Sequence, residues 1–123
     1  MADVESVLVA ALPGLVGAAV STERPAGMAN AAKMGHVQVR ASGGPATRSH
    51  VIDERHVTLT AIASESTDAA ALADRVKREV DGMAGRAFQG TFIVDAQCAS
   101  PAWFPDEDGL PRYFMTATIT IQL

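Results

Sequence analysis

The chain has 123 residues, 48% of them hydrophobic and 20% charged, with a mean hydropathy of +0.13; these values predict one folded domain over residues 1–123 and exclude disorder as the main state. The net charge of −4 is uneven, with +1 over residues 1–50, −2 over 51–90 and −3 over 91–123, and no basic cluster suits a phosphate backbone, so sequence-specific nucleic-acid binding is not expected. A lone cysteine, Cys98, excludes an internal disulfide framework and fits a reducing cytosol, and the acidic start Met-Ala-Asp-Val-Glu lacks the basic n-region of a signal peptide.

In chain order, Asp3 is placed to cap a short helix in which Val4, Val7, Leu8, Ala11 and Leu12 share a face, with Pro13-Gly14 ending it. The apolar run Val7 to Val20 is broken by that pair and is too short to span a bilayer. Ala18 to Ser21 reads as a first short strand. Thr22 to Gly35, with Pro25, Gly27 and Asn30, reads as an irregular connection with at most one helical turn. Val37 and Val39 alternate with Gln38 and Arg40 as a second strand, stopped by Ser42-Gly43-Gly44-Pro45, and Ala41 to His50 forms a loop.

The clearest signal follows. From Val57 to Ala63, Val, Leu and Ala at odd positions alternate with Thr58, Thr60 and Ile62, the mark of a strand with one buried face. After the polar hinge Ser64 to Asp68, with candidate capping hydroxyls, the period changes to about 3.6. Leu72, Val76 and Val80, flanked by Ala69, Ala73, Met83 and Ala84, form one stripe of a helix over Thr67 to Ala84; Asp74/Arg78 and Arg75/Glu79 stand at pairing distance on its other side. Gly82 and Gly85 mark its end.

Thr91 to Cys98 is a further strand, with Phe92, Val94, Ala96 and Cys98 expected on one face. A proline-rich acidic loop, Pro101 to Pro111, precedes the last strand, Arg112 to Leu123. There Tyr113, Met115, Ala117, Ile119, Ile121 and Leu123 take one face and Thr116, Thr118, Thr120 and Gln122 the other. A threonine-lined second face predicts contact with solvent or with a neighbouring subunit. The order α-β-β-β-α-β-β describes an α+β fold: a mainly antiparallel sheet of four to five strands, carrying the N-terminal helix and one long amphipathic helix.

Few residues suggest chemistry. His36, His50 and His56 lack the spacing of a zinc site, and Asp106-Glu107-Asp108-Gly109 starts like a calcium loop without its later ligands, so no metal is expected. Ser42-Gly43-Gly44 is followed by neither Gly-Lys-Ser/Thr nor a helix, which leaves a loop rather than a phosphate cradle. Cys98 has no partner that would activate it and reads as a small buried residue. No cofactor and no enzymatic activity are expected. Trp103 and Phe104, bracketed by Pro101 and Pro105, are either a lid on the domain's own core or an anchor in a partner's pocket. A pocket under this pair would make the chain a small ligand-binding domain or enzyme.

Four stretches together resemble the tail terminator (neck) proteins of long-tailed bacteriophages, especially those of actinobacteria. They are the helix ending at Leu12-Pro13-Gly14; Val39-Arg40-Ala41-Ser42-Gly43-Gly44; Asp53-Glu54-Arg55-His56-Val57-Thr58-Leu59-Thr60 running into an alanine-rich helix; and Pro105-Asp106-Glu107-Asp108-Gly109-Leu110-Pro111-Arg112-Tyr113 opening the last strand. The last is the most specific. The resemblance implies a curved antiparallel sheet flanked by helices, in a virion protein made in the host cytoplasm. Six copies would form a ring on the last tail-tube ring, stop tube growth and meet the head connector or stopper protein, with genomic DNA passing through the bore without sequence-specific binding. A head-tail connector or adaptor of the neck is the neighbouring reading. By position in the family pattern the implied interface residues are Arg40, Gly43, Gly44, Asp53, Arg55, Trp103, Phe104, Asp106, Asp108 and Arg112. Arg112 is expected to pair with an acid of the adjacent subunit.

Overall fold

The computed structural model describes residues 4–43 and 52–122. The order of elements is α1 (Val4–Val16), β1 (Ala19–Ser21), α2 (Met28–Met34), β2 (His36–Gly43), β3 (Ile52–Ile62), α3 (Ser66–Asp81), β4 (Arg86–Phe88), β5 (Thr91–Cys98), β6 (Ala102–Trp103) and β7 (Arg112–Gln122). The α+β class holds, with more strands than the four to five expected: one sheet of seven, ordered β1-β2-β3-β7-β5-β4, with β6 beside the start of β7. All its pairings are antiparallel except β1 with β2. The added strands are two or three residues long, too short to leave an alternation in the sequence.

β3 and β7 pair along their whole length, from Ile52↔Gln122 to Ile62↔Arg112. Because side chains alternate, Val57, Leu59 and Ala61 and their partners Ala117, Met115 and Tyr113 point to one face, and Thr58 and Thr60, opposite Thr116 and Phe114, to the other. The first face carries the core. Leu8, Leu12 and Val16 of α1 and Ala73, Val76 and Val80 of α3 close over it, and all are buried. The second face is open along most of its length, with Thr116 exposed and Thr118 and Thr120 half-buried.

Several sequence expectations are corrected. The N-terminal helix does not stop at Pro13-Gly14: it runs through Pro13 to Val16, and Gly17 (φ +70°) ends it, with its amide donating to the Pro13 carbonyl at 3.0 Å. Burial of Leu12 and Val16 on the same stripe outweighs the lost hydrogen bond at Pro13. The capping role of Asp3 and the place of Leu123 lie outside the described residues.

The stretch 22–35 contains a formed helix, α2, whose Met28 and Ala32 cover Ile62 at one end of the open face. Glu65, in extended conformation and without a side-chain cap, precedes α3, so the expected Ser/Thr cap does not form. On the outer side of α3 the ion pair is Lys77–Asp81 (2.7 Å), whereas Arg75 reaches back to the Leu15 carbonyl (3.2 Å).

In β5 a bulge between Ile93 and Asp95 switches the alternation: Thr91 and Ile93 face inward before it and Ala96 and Cys98 after it, which leaves Phe92 and Val94 exposed. No described helix is long and apolar enough to cross a membrane.

One consequence is testable. Pro13 sits inside a helix that has no need of it, so Pro13→Ala restores an i→i−4 bond. Relative to alanine a helix-interior proline costs up to about 3 kcal/mol, and we expect a gain of roughly 1–3 kcal/mol in urea unfolding. A variant less stable than the parent would contradict this account of α1.

Candidate functional site

The residues that carry the acidic aromatic loop are assembled from two distant stretches. Asp106 is the hub. Its side chain is only 1% exposed, and Oδ2 accepts from Arg24 (2.9 Å) and from the Asp108 amide (3.2 Å) while Oδ1 accepts from Arg112 (3.3 Å). Arg24 also reaches Asp108 (3.0 Å) and stands 3.8 Å from Glu107. Arg112 donates Nε–H to the Phe104 carbonyl (3.0 Å) and lies over the Phe104 ring at 5.1 Å. A tight turn closes the loop: the Asp106 amide donates to Leu110 O (3.0 Å) and the Gly109 amide to Asp106 O (2.8 Å), with Gly109 at φ +82°.

This geometry holds two aromatics up to solvent. Trp103 is 52% exposed and packs edge-on to Tyr113 (5.3 Å between centroids); Phe104 is 55% exposed and packs edge-on to Phe114 (5.6 Å). Neither ring enters the core, so the lid alternative is corrected: the pair sits on β7's outermost rings. Nor does the cleft lined by Met34 and Leu72 lie beneath them. A cleft of about 210 Å³ lies between the ends of α1 and α2 and the start of α3, lined by Gly17, Ala18, Lys33, Met34, Asp68 and Leu72 among others.

Burial opposes ionisation of Asp106, but the bonds from Arg24 and the Asp108 amide and the charges of Arg24 and Arg112 outweigh it and hold its pKa below the ordinary carboxylate value. Within its own chain Arg112 is already engaged, with Asp106. The calcium-like sequence has a different use as well, since guanidinium groups engage the carboxylates of both Asp106 and Asp108. Among the described residues no group of three His, Cys, Asp or Glu side chains is placed to hold a metal. Cys98 is buried, and burial, then the Asp81 charge, push its thiol up to about 11; Lys77 opposes this. Burial lowers the pKa of His36, whose Nε2 lies 2.8 Å from Ser21 Oγ.

The other sequence candidates do not join this cluster. Arg40 is exposed on β2, 3.8 Å from Glu23, and Gly43 ends β2 opposite His56 after a bulge. Asp53 and Arg55 form an ion pair along the start of β3 and Asp53 is buried. That pair lies some nine residues from Ile62, about 30 Å along the strand from the loop. Gly44 and His50 lie outside the described residues. Arg24 was not legible as a member of the site: it is 82 residues from Asp106, and the hint was a run of three acids with a single nearby cation, Arg112.

Trp103 is the chain's sole tryptophan and so reports on the loop. Asp106→Ala leaves two guanidinium groups without their shared acceptor. Both are partly solvated, which limits the cost to roughly 1–3 kcal/mol, read by urea unfolding with a shift in Trp103 emission. The depressed pKa sets the sign of the acid response. The stabilisation by Asp106 is complete above the ordinary aspartate value and is lost as pH falls through the lower folded value. A fluorescence titration should therefore show an acid step below the ordinary aspartate range, absent in Asp106→Asn; an unchanged step in that variant would assign it to another carboxylate.

No family model matches the chain, and no curated protein matches it. Among solved structures, its fold is similar to that of a chain in the virion of a native gene transfer agent (GTA) particle. The TM-score is 0.63 over 98% of this chain and 95% of that one, at 15% identity. What the two share is a backbone arrangement spanning nearly all of both chains.

Proposed function

We propose that this protein is a structural component of a phage-like virion, a tail terminator that forms a ring, six-membered by the family pattern, at the head-proximal end of the tail tube. The observation that carries the reading is the fold shared over nearly the full length with a chain of a gene transfer agent virion. The resemblance of four sequence stretches to tail terminators supports the finer assignment. In this reading the protein stops tube polymerisation and joins tail to head connector by binding alone, with no cofactor. It needs only surfaces: the aromatic loop, the open threonine face, the end of β2 at Arg40–Gly43 and the start of β3 at Asp53–Arg55. The acidic balance suits a bore through which DNA slides without adhering.

The test is tail length. Particles assembled without this chain should carry tubes that overrun the normal length and fail to join heads, with normal length restored by supplying the chain in trans. Normal-length tails that merely lack heads would favour a connector or adaptor of the neck instead. Normal infectious particles would contradict both.

A further inference from the structure

We propose that Trp103 of one copy seats in the cleft beside Met34 of the next copy, so that the aromatic loop and the α1–α2–α3 cleft form a repeating head-to-tail contact. The proposal rests on the ring reading above and names the surface that would close the ring.

Three placements support it. Trp103 pairs with Tyr113, which packs against the main core, so the indole lies on the helix-bearing side of the sheet. The cleft opens at the sheet edge: Gly17, Ala18, Asp68 and Leu72 wall it from that helix-bearing side, and Ala32, Lys33, Met34 and Gly35 at the end of α2 wall it from the other. Both sit at the same end: Ala63 and Ser64 of the cleft follow Ile62, which is paired with Arg112 at the foot of the aromatic loop. They occupy opposite edges, however. β1 and β6 flank the sheet there, four strand spacings or about 19 Å apart. Two different patches at equal height on opposite edges are what a rotation about an axis along the strands brings together, and repetition of such a contact gives a ring. The exposed pair Phe92 and Val94 lies near Ile121, at the far end of β7 and on the other face, and the same rotation does not bring it to the cleft.

Size and charge agree. A cleft of about 210 Å³ falls short of the roughly 300–1,000 Å³ of a small-molecule site and suits one inserted aromatic side chain. Its lip is Met34, 83% exposed and apolar, with the adaptable thioether that favours contact with a ring. Lys33 beside it has no ion-pair partner among the described residues, and the approaching loop carries the exposed carboxylates of Glu107 and Asp108. Counting Arg24 and Arg112, that loop cluster retains one net negative charge. Asp68, the acid in the cleft, sits in the first turn of α3, where the helix dipole offsets it.

The test is a short bismaleimide cross-link in assembled particles carrying Trp103→Cys, Met34→Cys or both. Native Cys98 is buried with its thiol held protonated, so the parent chain is the blank. The double variant should give a ladder of linked chains, and particles built from both single variants should give a linked dimer at least tenfold above either single variant alone. Rings visible by electron microscopy without this cross-link would overturn the contact and leave the ring reading intact. Self-linked dimers of Trp103→Cys alone would overturn the head-to-tail geometry. A chain absent from the particles would remove the ring reading and this contact together.

Discussion

The antiparallel register of β3 with β7 is the constraint on which the rest of the molecule depends. A slip of β3 by one residue along β7 would turn Val57 and Leu59 outward and bring Thr58 and Thr60 under α1 and α3, so the apolar pattern fixes the pairing as firmly as the backbone bonds do. Once it is fixed, β2 joins on one side and β5 on the other, and the helices have one face to cover. The opposite face is then the threonine-lined one, and among the described residues α2 caps it at the Ile62 end.

The same register determines where the aromatic loop stands. Arg112 and Tyr113 open β7 at that end, so the loop before them folds back on the sheet edge as β6 and meets the segment that leads into α2. Asp106 ties the two chain segments together through Arg24 and Arg112. A buried carboxylate is tolerable there because two guanidinium groups and an amide share it. The result is a short surface loop with its own internal bonds, able to present Trp103 and Phe104 in a fixed direction. A rigid aromatic loses little conformational freedom on contact, which is the property an anchoring residue needs.

Much of this was legible in the sequence. The alternation in β3 and β7 and the stripe of α3 named the core correctly, because periodicity is local and these elements are long. Local signals end the N-terminal helix at Pro13-Gly14, since the packing of Val16 that carries it further is a tertiary effect. Simple alternation puts Phe92 and Val94 on one face with Ala96 and Cys98, because the bulge that separates them leaves no residue signature of its own. The candidate interface residues within the described chain divide among separate regions of the fold. Of them, Asp106, Asp108 and Arg112 are engaged with one another or with Arg24, a partnership no spacing rule could suggest across such a separation.

Whether this chain occupies the neck of a virion is decided by a reconstruction of that region in particles that contain it. A ring of this fold should stack on the last ring of the tail tube, with the cleft-bearing edge of each copy against the aromatic-loop edge of the next. Finding the fold repeated along the whole tail, or absent from the neck, would contradict it.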